Sequence, residues 1–232
     1  MRKKTKILIV GAGPMAIEYA KVLQAQKSEF ITVGNTKVGA NNFENDIKTK
    51  VVLGGVENWL KNNSSIDFSL YKVIVTVNEH LLGTIAKLLI NAGFKDVLLE
   101  KPGGLDIDDI KSVHSLAVEK KVNIYIAYNR RFFASTLRVK ELIKADGGVT
   151  SFNFEFTEWG HIIKDLVKNK EILNEWFIQN SSHVIDLAFH IGGSPVDMKS
   201  FVLGGQSWHP KGTIFSGAGI TDKNALFSYN AN

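Results

Sequence analysis

The sequence predicts an α/β protein with two parts: a doubly wound parallel sheet, and then an α+β domain with a mainly antiparallel open sheet. Two observations carry this prediction. Between residues 6 and 127, short apolar runs alternate with segments that have the apolar spacing of helices, which is typical of parallel sheets. After Tyr128 this succession stops, and Ser151–Phe156 alternates apolar and polar residues with period two. The predicted domain boundaries are 1–127 and 128–232.

The composition excludes several classes of function. The 232 residues include 28 Lys and Arg, 23 Asp and Glu and no cysteine, which gives a net charge of +5. Disulfides, thiolate metal sites and cysteine nucleophiles are therefore excluded, and we expect no metal. The basic clusters lack interleaved aromatic residues, so no nucleic-acid partner is expected. The apolar run Ile7–Val10 is too short for a secretion signal or a membrane span, so we expect a cytoplasmic protein with no membrane contact.

A glycine-rich turn follows the first predicted strand, Lys6–Val10. Gly11 permits a tight turn, Gly13 lets the backbone approach a pyrophosphate, and Pro14 suits the first turn of the helix that follows. This strand–turn–helix context predicts a dinucleotide site at the helix N-terminus, and an ordinary βα turn is the alternative. The expected cofactor contacts here are Gly11, Gly13, Pro14 and Met15.

The second strand, Phe30–Val33, leads into Gly34-Asn35-Thr36-Lys37. Sites that prefer NAD usually place an Asp or Glu here for the ribose 2′-OH, and this segment has neither. A hydroxyl and an amine can instead bind a 2′-phosphate, so NADP(H) is the preferred cofactor and NAD(H) is possible. Asn35, Thr36 and Lys37 are the expected contacts, although a solvated Lys37 is an alternative.

Two more predicted strands end in polar residues. Val51–Leu53 is the third strand, and Lys72–Val77 is a fourth strand that ends before Asn78 and His80. Because the carboxyl ends of parallel strands line the ligand crevice, Asn78 and His80 could reach the nicotinamide. His80 could equally face solvent at the start of the next helix.

The fifth strand, Val97–Leu99, runs into Glu100-Lys101-Pro102-Gly103-Gly104. Proline and glycine stop the strand and forbid a tight helix there. Lys101 is then in position to contact a bound substrate, and a solvated lysine at a strand end is an equal alternative. Asp106 is a good cap for the following helix, and Val122–Ala127 is the sixth strand.

The second part begins at Tyr128–Phe132, and a helix over Leu137–Ala145 follows. The period-two segment after it predicts a half-exposed antiparallel strand. Further strands are predicted near Lys199–Leu203, Gly212–Ser216 and Asn224–Tyr229. Because the chain stops just after the last of these, we expect an incomplete sheet and a longer natural protein.

A helix with a polar face lies between these strands. Ser181 and Ser182 are predicted to cap it, and it ends at Gly192-Gly193. One face carries His183, Asp186 and His190, of which the last two lie side by side at i, i+4. This spacing arises readily by chance, so it does not by itself indicate a site.

These segments resemble the Gfo/Idh/MocA oxidoreductase family, named for glucose–fructose oxidoreductase and inositol dehydrogenase. The residues that carry the resemblance are Gly11-Ala12-Gly13 with Ala16, Thr76-Val77-Asn78 with His80, Glu100-Lys101-Pro102-Gly103, Tyr128–Phe132 and Asp186–His190. The Glu-Lys-Pro segment is the most specific of them, and the order and spacing agree over nearly the whole chain. In two respects the chain departs from the family: Val77 replaces the usual proline, and the C-terminal sheet is short.

The resemblance implies a Rossmann fold and an NAD(P)-dependent dehydrogenase or reductase acting on CH–OH groups. It implies a catalytic set in which His190 is the general base or acid, Lys101 holds the reacting oxygen, and Asp186 orients His190 and binds a neighbouring hydroxyl. It also implies a cis Lys101–Pro102 peptide bond. Further implied cofactor contacts are Thr76, Asn78, His80, Glu100, Lys101 and Pro102, and substrate contacts are Lys101, Asn129, Arg131, His183, Asp186 and His190.

The leading hypothesis is hydride transfer between nicotinamide and a hydroxyl or keto carbon of a sugar, a cyclitol or a nucleotide sugar. A second hypothesis is reduction of a non-sugar carbonyl or a tetrapyrrole-like substrate. A third is a non-catalytic NADP-binding regulator, which the joint presence of Lys101, Asp186 and His190 argues against. The family further implies a homo-oligomer, dimer or tetramer, formed through the C-terminal sheet if that sheet is intact.

Overall fold

The computed structural model describes residues 6–166 and 169–232, which fall into two compact units, one ending at Ala127 and the other beginning at Tyr128. In the first unit, the described residues form six strands: β1 Lys6–Val10, β2 Phe30–Gly34, β3 Val51–Leu53, β4 Tyr71–Val75, β5 Asp96–Leu99 and β6 Asn123–Ile126. Every neighbouring pair is parallel, in the order β3-β2-β1-β4-β5-β6. This order confirms the predicted doubly wound sheet, and its direction reverses between β1 and β4, where such sheets bind ligands.

Helices connect these strands, as parallel pairing requires. They are α1 Pro14–Ala25, α2 Lys37–Ile47, α3 Gly55–Asn62, α4 Leu82–Ala92 and α5 Ile107–Lys120, with 3-10 turns at Phe68–Leu70 and Glu79–Leu81. The predicted cap of α5 is present, because the Asp106 carboxylate accepts a hydrogen bond of 2.8 Å from the Asp109 N–H. Gly93 ends α4 with a φ of 101°, a left-handed conformation that glycine adopts without strain.

The core of the first unit lies on both faces of its sheet. Leu8 and Ile9 are neighbours on β1, so their side chains point to opposite faces, and both are fully buried. Leu8 packs in a cluster with Val73 and Val97, whereas Ile9 packs in a separate cluster with Phe43. Coverage on both faces explains why these strands are continuous apolar runs.

The second unit has its own mixed sheet. Its described strands are β7 Ser151–Glu155, β8 Pro195–Leu203, β9 Ile214–Thr221 and β10 Leu226–Ala231, in the order β7-β10-β9-β8. Its helices are α6 Ala134–Ala145, α7 Gly160–Leu166, α8 Lys170–Asn174 and α9 Ser182–Gly192, with a π-helix at Phe177–Ser181 and a 3-10 turn at Asn129–Phe132.

The predicted mainly antiparallel sheet is confirmed, but the direction predicted for β7 is wrong. The pairs β10–β9 and β9–β8 are antiparallel. β7 instead pairs in parallel with β10, and Phe152 lies opposite Phe227. Side chains alternate with period two in either direction, so the pattern indicates a half-exposed strand but not the direction of its partner.

The start of α9 also differs from the prediction. Ser181 has helical dihedral angles, φ −68° and ψ −18°, and its side chain makes no capping hydrogen bond. A capping residue needs extended dihedral angles, and here the π-helix continues directly into α9. The predicted Ser181 cap is therefore wrong.

α9 packs on the second sheet through an aromatic contact. The Phe189 ring lies edge-on to Phe154 and Phe227, with ring centroids 5.5 and 5.1 Å apart. This contact fixes which side of α9 faces the sheet, and it leaves the polar side chains of the helix on its other sides. Within residues 6–166 and 169–232, no helix is both long and apolar enough to cross a membrane.

Candidate active site

The turn after β1 requires glycine. Gly11 has a φ of +118°, and a Cβ atom there would lie 2.5 Å from Thr76 Oγ1 and 2.8 Å from the Thr76 carbonyl oxygen. Thr76 is itself held by β1, because its Oγ1 donates a hydrogen bond of 3.2 Å to the Val10 carbonyl. A Cβ atom at Gly13 would meet nothing within 4 Å. The turn is therefore tight at Gly11 and open at Gly13, as a bound pyrophosphate requires.

Helix α1 begins beside this opening with N–H groups for an anion. Gly13 occupies the cap position, has no side chain with which to cap, and is followed by Pro14 at the first helical position. Uncapped N–H groups and the helix dipole favour a phosphate at this end. Met15, another predicted cofactor contact, is 43% exposed there.

The segment after β2 presents a hydroxyl and an amine to solvent. Asn35, Thr36 and Lys37 are all exposed, and the first turn of α2 contains no acidic residue. Thr36 Oγ1 accepts a hydrogen bond of 3.2 Å from the Gly39 N–H, so it caps α2 and keeps its own O–H to donate.

A cleft of about 560 Å³ lies between the starts of α1 and α2. Its walls include Gly13, Pro14 and Thr36 from the prediction. They also include Gly39 and Asn42, which no sequence signal indicated because they become neighbours of Gly13 only through the pairing of β1 with β2.

The predicted residues after β4 are less enclosed. Thr76 is buried, Asn78 is exposed, and His80 is half-buried within the 3-10 turn. The contacts of Thr76 fix it against the Gly11 turn, and the cofactor contacts of Asn78 and His80 stay predictions.

The residues after β5 are anchored to α1. The Tyr19 hydroxyl donates a hydrogen bond of 2.9 Å to Glu100 Oε1. Burial, together with the adjacent Glu100 carboxylate, raises the pKa of the Tyr19 phenol, so the phenol stays protonated and remains a donor. The sequence placed Tyr19 only on the apolar stripe of α1. Only the tertiary structure shows that its hydroxyl binds Glu100.

The Lys101–Pro102 peptide bond is cis, as the resemblance predicts. Lys101 is half-buried, Pro102 is buried, and the Gly103 N–H donates to the Glu100 carbonyl at 3.0 Å. Glu100, Lys101 and Pro102 therefore form a compact turn at the carboxyl end of β5.

In the second unit, Arg131 and Asp186 form a two-point ion pair. Arg131 Nε donates to one Asp186 oxygen at 2.8 Å, and a terminal guanidinium nitrogen donates to the other. The Asp186 side chain is 9% exposed and that of Arg131 is 40% exposed. This geometry is the strong bidentate type, and it brings together two of the predicted substrate contacts.

The Tyr128 ring lies beside this pair. The Arg131 guanidinium lies 5.9 Å from the Tyr128 ring centroid, and the His183 ring is edge-on to the same Tyr128 ring at 5.9 Å. Tyr128 thus contacts both Arg131 and His183. Asn129, a predicted substrate contact, is exposed in the 3-10 turn beside them.

His190 lies beside a lysine that the sequence did not single out. Its Nε2 is 3.1 Å from the Lys140 Nζ on α6. Burial lowers the pKa of His190, and the Lys140 and Arg131 cations lower it further, against an opposing effect of Asp186. This lowered pKa favours the neutral imidazole, which is the form that a general base needs.

The structure thus groups the predicted residues within each unit. The Gly11 turn meets Thr76 and Glu100 is held by Tyr19 in the first unit, and Asp186 meets Arg131 in the second. Lys101 belongs to the first unit and His190 to the second, so their assembly in one site stays a prediction. Among residues 6–166 and 169–232, no group of three or more His, Asp or Glu side chains is arranged to hold a metal ion.

Solved structures share this fold at low sequence identity. The WlbA dehydrogenase from Chromobacterium violaceum, in complex with NADH and UDP-GlcNAcA, is 17% identical with a TM-score of 0.76, over 100% of this chain and 68% of that one. UDP-N-acetylglucosamine 3-dehydrogenase GnnA from Acidithiobacillus ferrooxidans is 15% identical with a TM-score of 0.69, over 97% and 68%. An Agrobacterium radiobacter oxidoreductase in complex with NAD⁺, L-tartaric acid and magnesium is 11% identical with a TM-score of 0.76, over 98% and 66%. The chain therefore spans about two thirds of the length of these proteins.

A search of curated protein sequences finds no match. A sequence model of an oxidoreductase family with an NAD-binding Rossmann fold matches residues 5–128, more than half of the chain. The match confirms the resemblance, the Rossmann fold and the predicted NAD(P)-dependent dehydrogenase acting on CH–OH groups. The Gly11 turn agrees with this match, and the chain belongs to the Gfo/Idh/MocA oxidoreductase family.

Proposed function

We propose that the protein transfers a hydride between NADP(H) and a hydroxyl or keto carbon of a sugar, a cyclitol or a nucleotide sugar. The observation that carries the proposal is the polar face of α9, where Asp186 lies between His183 and His190 in sequence and is held by Arg131. Such groups suit a substrate with several hydroxyls, because each hydroxyl both donates and accepts hydrogen bonds. Two structural neighbours whose names specify UDP-sugars support the nucleotide-sugar option.

The proposed reaction needs two protein groups, a cation at the reacting oxygen and a base for the hydroxyl proton. The nicotinamide, when bound, takes up or delivers the hydride. We assign to Lys101 the hydrogen bond to the reacting oxygen, because an ammonium there stabilises the developing alkoxide charge. An imidazole of α9 removes the hydroxyl proton during oxidation and returns it during reduction.

His190 is the first candidate for this base, since its lowered pKa favours the neutral form of the imidazole. One observation favours His183 as the second candidate. Lys140 already lies at hydrogen-bond distance from His190 Nε2, whereas the His183 ring contacts Tyr128, which also contacts Arg131 of the Asp186 ion pair. Replacing each histidine separately distinguishes the two roles.

Asp186 is better placed to bind substrate than to orient His190. Both of its oxygens accept from Arg131. A carboxylate has about four lone-pair positions, so two remain for a substrate hydroxyl. We therefore propose that the Arg131–Asp186 pair binds a hydroxyl next to the reacting carbon.

The preference for NADP(H) rests on the start of α2. Thr36 lines the cleft, its neighbours Asn35 and Lys37 are exposed, and the first turn of α2 has no carboxylate to repel a 2′-phosphate. NAD(H) remains possible as a second cofactor. Titrating the intrinsic tryptophan fluorescence with NADPH and NADH tests the preference, and the Lys37→Met variant is expected to lose it. Equal affinities in the parent chain would contradict it.

The catalytic assignment is tested by Lys101→Ala, His190→Ala and His183→Ala. We expect Lys101→Ala and the variant of the true base to lower kcat by about 100-fold or more, with little change in NADPH affinity. Lys111→Ala and His114→Ala remove exposed residues of the same types and serve as controls. Near-normal turnover in Lys101→Ala, or in both histidine variants of the second unit, would refute the assignment.

A substrate panel separates this proposal from its alternatives. We expect sugars, cyclitols or nucleotide sugars to change the absorbance of the nicotinamide. Turnover of non-sugar carbonyls alone would favour the reductase hypothesis, and NADPH binding with no turnover would favour a regulator. A homo-oligomer and a cytoplasmic location also stay predictions, to be tested by light scattering and by cell fractionation.

A further inference from the structure

The carboxylate of Asp109 connects helix α4 with the turn that contains Lys101. Asp109 lies in the first turn of α5, and its side chain is 20% exposed. One carboxylate oxygen accepts a hydrogen bond of 3.1 Å from the Leu105 N–H. The other oxygen accepts a hydrogen bond of 3.0 Å from Lys87 Nζ on α4. Asp109 therefore joins α4 and α5 to residues 100–105, which we call the Lys101 turn.

Two buried glycines leave space for this carboxylate. A Cβ atom added to Gly83 on α4 would lie 2.1 Å from Asp109 Oδ2. A Cβ atom added to Gly104, in the Lys101 turn, would lie 2.9 Å from the same oxygen. The helix and the turn thus approach the carboxylate from two sides, more closely than larger residues would allow. In a close-packed interior, a carboxylate enclosed in this way has little freedom to move.

The Lys101 turn is bound at both of its ends. At its first end, the Tyr19 hydroxyl donates to the Glu100 carboxylate. At its other end, the Asp109 carboxylate accepts from the Leu105 N–H. Because Lys101 lies between these two contacts, the position of its backbone depends on both of them.

We propose that Asp109 is a positioning residue for the hydride-transfer reaction, because it holds the Lys101 turn where the Lys101 ammonium binds the reacting oxygen. The inference rests on the proposed function, which assigns that oxygen to Lys101. A displacement of about 1 Å can lower the rate of an enzyme by about 100-fold. A residue that acts only through the turn can therefore change kcat and leave the affinity for NADPH unchanged.

Two substitutions of Asp109 test this role and separate its two contacts. Asp109→Ala removes the acceptors for Leu105 and Lys87, and we expect kcat to fall by about 10- to 100-fold with little change in NADPH affinity. Asparagine keeps an oxygen for the Leu105 N–H but loses the ion pair, so Asp109→Asn should keep kcat within about threefold of the parent value. Lys87→Met removes the same ion pair from its other side, and the same result is expected.

Glu44→Ala is the matched control. One oxygen of Glu44 accepts from the Val51 N–H at 2.9 Å, and the other accepts from Lys50 Nζ at 2.8 Å. The Glu44 side chain is 25% exposed, close to the 20% of Asp109. If Asp109 were only structural, both alanine variants would lower the thermal unfolding midpoint and neither would lower kcat. We expect both to lower the midpoint and only Asp109→Ala to lower kcat.

Amide hydrogen exchange measures the order of the Lys101 turn without any substrate. The Gly103 N–H donates to the Glu100 carbonyl at 3.0 Å within this turn. We expect this amide to exchange at least about tenfold faster in Asp109→Ala than in Glu44→Ala. If Asp109→Ala does not fold, Asp109→Ser takes its place in both measurements, because the shorter serine side chain does not reach the Leu105 N–H.

Unchanged kcat in Asp109→Ala, together with an inactive Lys101→Ala, would overturn the proposal. A loss of kcat that also occurs in Asp109→Asn would overturn it too, as would equal exchange of the Gly103 amide in the two alanine variants. Normal turnover in Lys101→Ala would instead contradict the proposed function. In that case, faster exchange at Gly103 would still support the contact of Asp109 with the turn.

Discussion

The two sheets of the protein bury their strands to very different extents. In the first unit, Leu8 on β1 and Leu99 on β5 are fully buried, and β1 is covered on both faces. In the second unit, β8 is exposed at all nine positions, and Leu203 there is 70% exposed. The central strands of the first sheet therefore form a core, whereas β8 is an exposed edge strand of the second sheet.

We expect the largest difference between the units in the free energy of unfolding when a glycine with a left-handed backbone is replaced, Gly11 in the first unit and Gly148 in the second. Gly11→Ala combines backbone strain with a clash against Thr76, so we expect a loss of about 2–6 kcal/mol in the free energy of unfolding. Gly148→Ala has a similar φ, +114°, but an added Cβ meets nothing within 4 Å, and we expect about 1–3 kcal/mol. Urea unfolding measures both. Equal losses would show that close packing at the Gly11 turn contributes nothing.

The same leucine substitution in each sheet tests the burial difference directly. Leu8→Ala opens a cavity in a closed core and is expected to cost about 2–5 kcal/mol. Leu203→Ala removes an exposed side chain and should change the free energy of unfolding by about 0.5 kcal/mol or less. A large loss for Leu203→Ala that depends on protein concentration would show instead that β8 is buried in an oligomer.

Removing the hydroxyls of two tyrosines, one at a time, compares a part-buried hydrogen bond with an exposed one. Tyr19→Phe removes the donor to the Glu100 carboxylate, and we expect a loss of about 1–3 kcal/mol together with a lower kcat, because Glu100 precedes Lys101. Tyr229→Phe removes an exposed bond of 2.7 Å to Ser200 Oγ, with an expected loss of about 0.5 kcal/mol. If kcat falls equally in both variants, Glu100 does not position Lys101.

The smallest expected effect is a shift in pH dependence within the second unit. Lys140 lowers the pKa of His190, so removing this cation in Lys140→Met should raise that pKa. The base is then protonated at higher pH, and the acidic limb of kcat/KM should move to higher pH. Lys144→Met, on the same helix and exposed, is the control. An unmoved limb would assign the base to a group other than His190.

The sequence predicted the first unit more fully than the second. Its strands and helices alternate, and each βα connection has its own local signal, such as the Gly11 turn or the Asp106 cap. In the second unit, the period-two pattern found β7 but not its parallel pairing with β10. The two serines Ser181 and Ser182 predicted a cap for α9, but the chain continues from a π-helix directly into α9.

The residues around the candidate site were likewise predicted from the sequence only in part. Glu100, Asp186 and His190 are recognisable from the sequence, but Tyr19 and Lys140 are not, because each lies in an ordinary helical stripe or surface. The Tyr19–Glu100 bond joins positions 81 residues apart, and the Arg131–Asp186 bond joins positions 55 apart. Contacts over such separations depend on how helices pack against strands, and no local spacing encodes them.

What the sequence determined by itself is therefore local in origin: the alternating elements, the positions where only glycine or proline suits the backbone, and the motifs that identify the family. Tertiary structure alone decided which side chains became partners and that β7 pairs in parallel with β10. The physical reason is that backbone periodicity and turn chemistry act over a few residues, whereas hydrogen-bond partners and burial are set by the packing of whole elements.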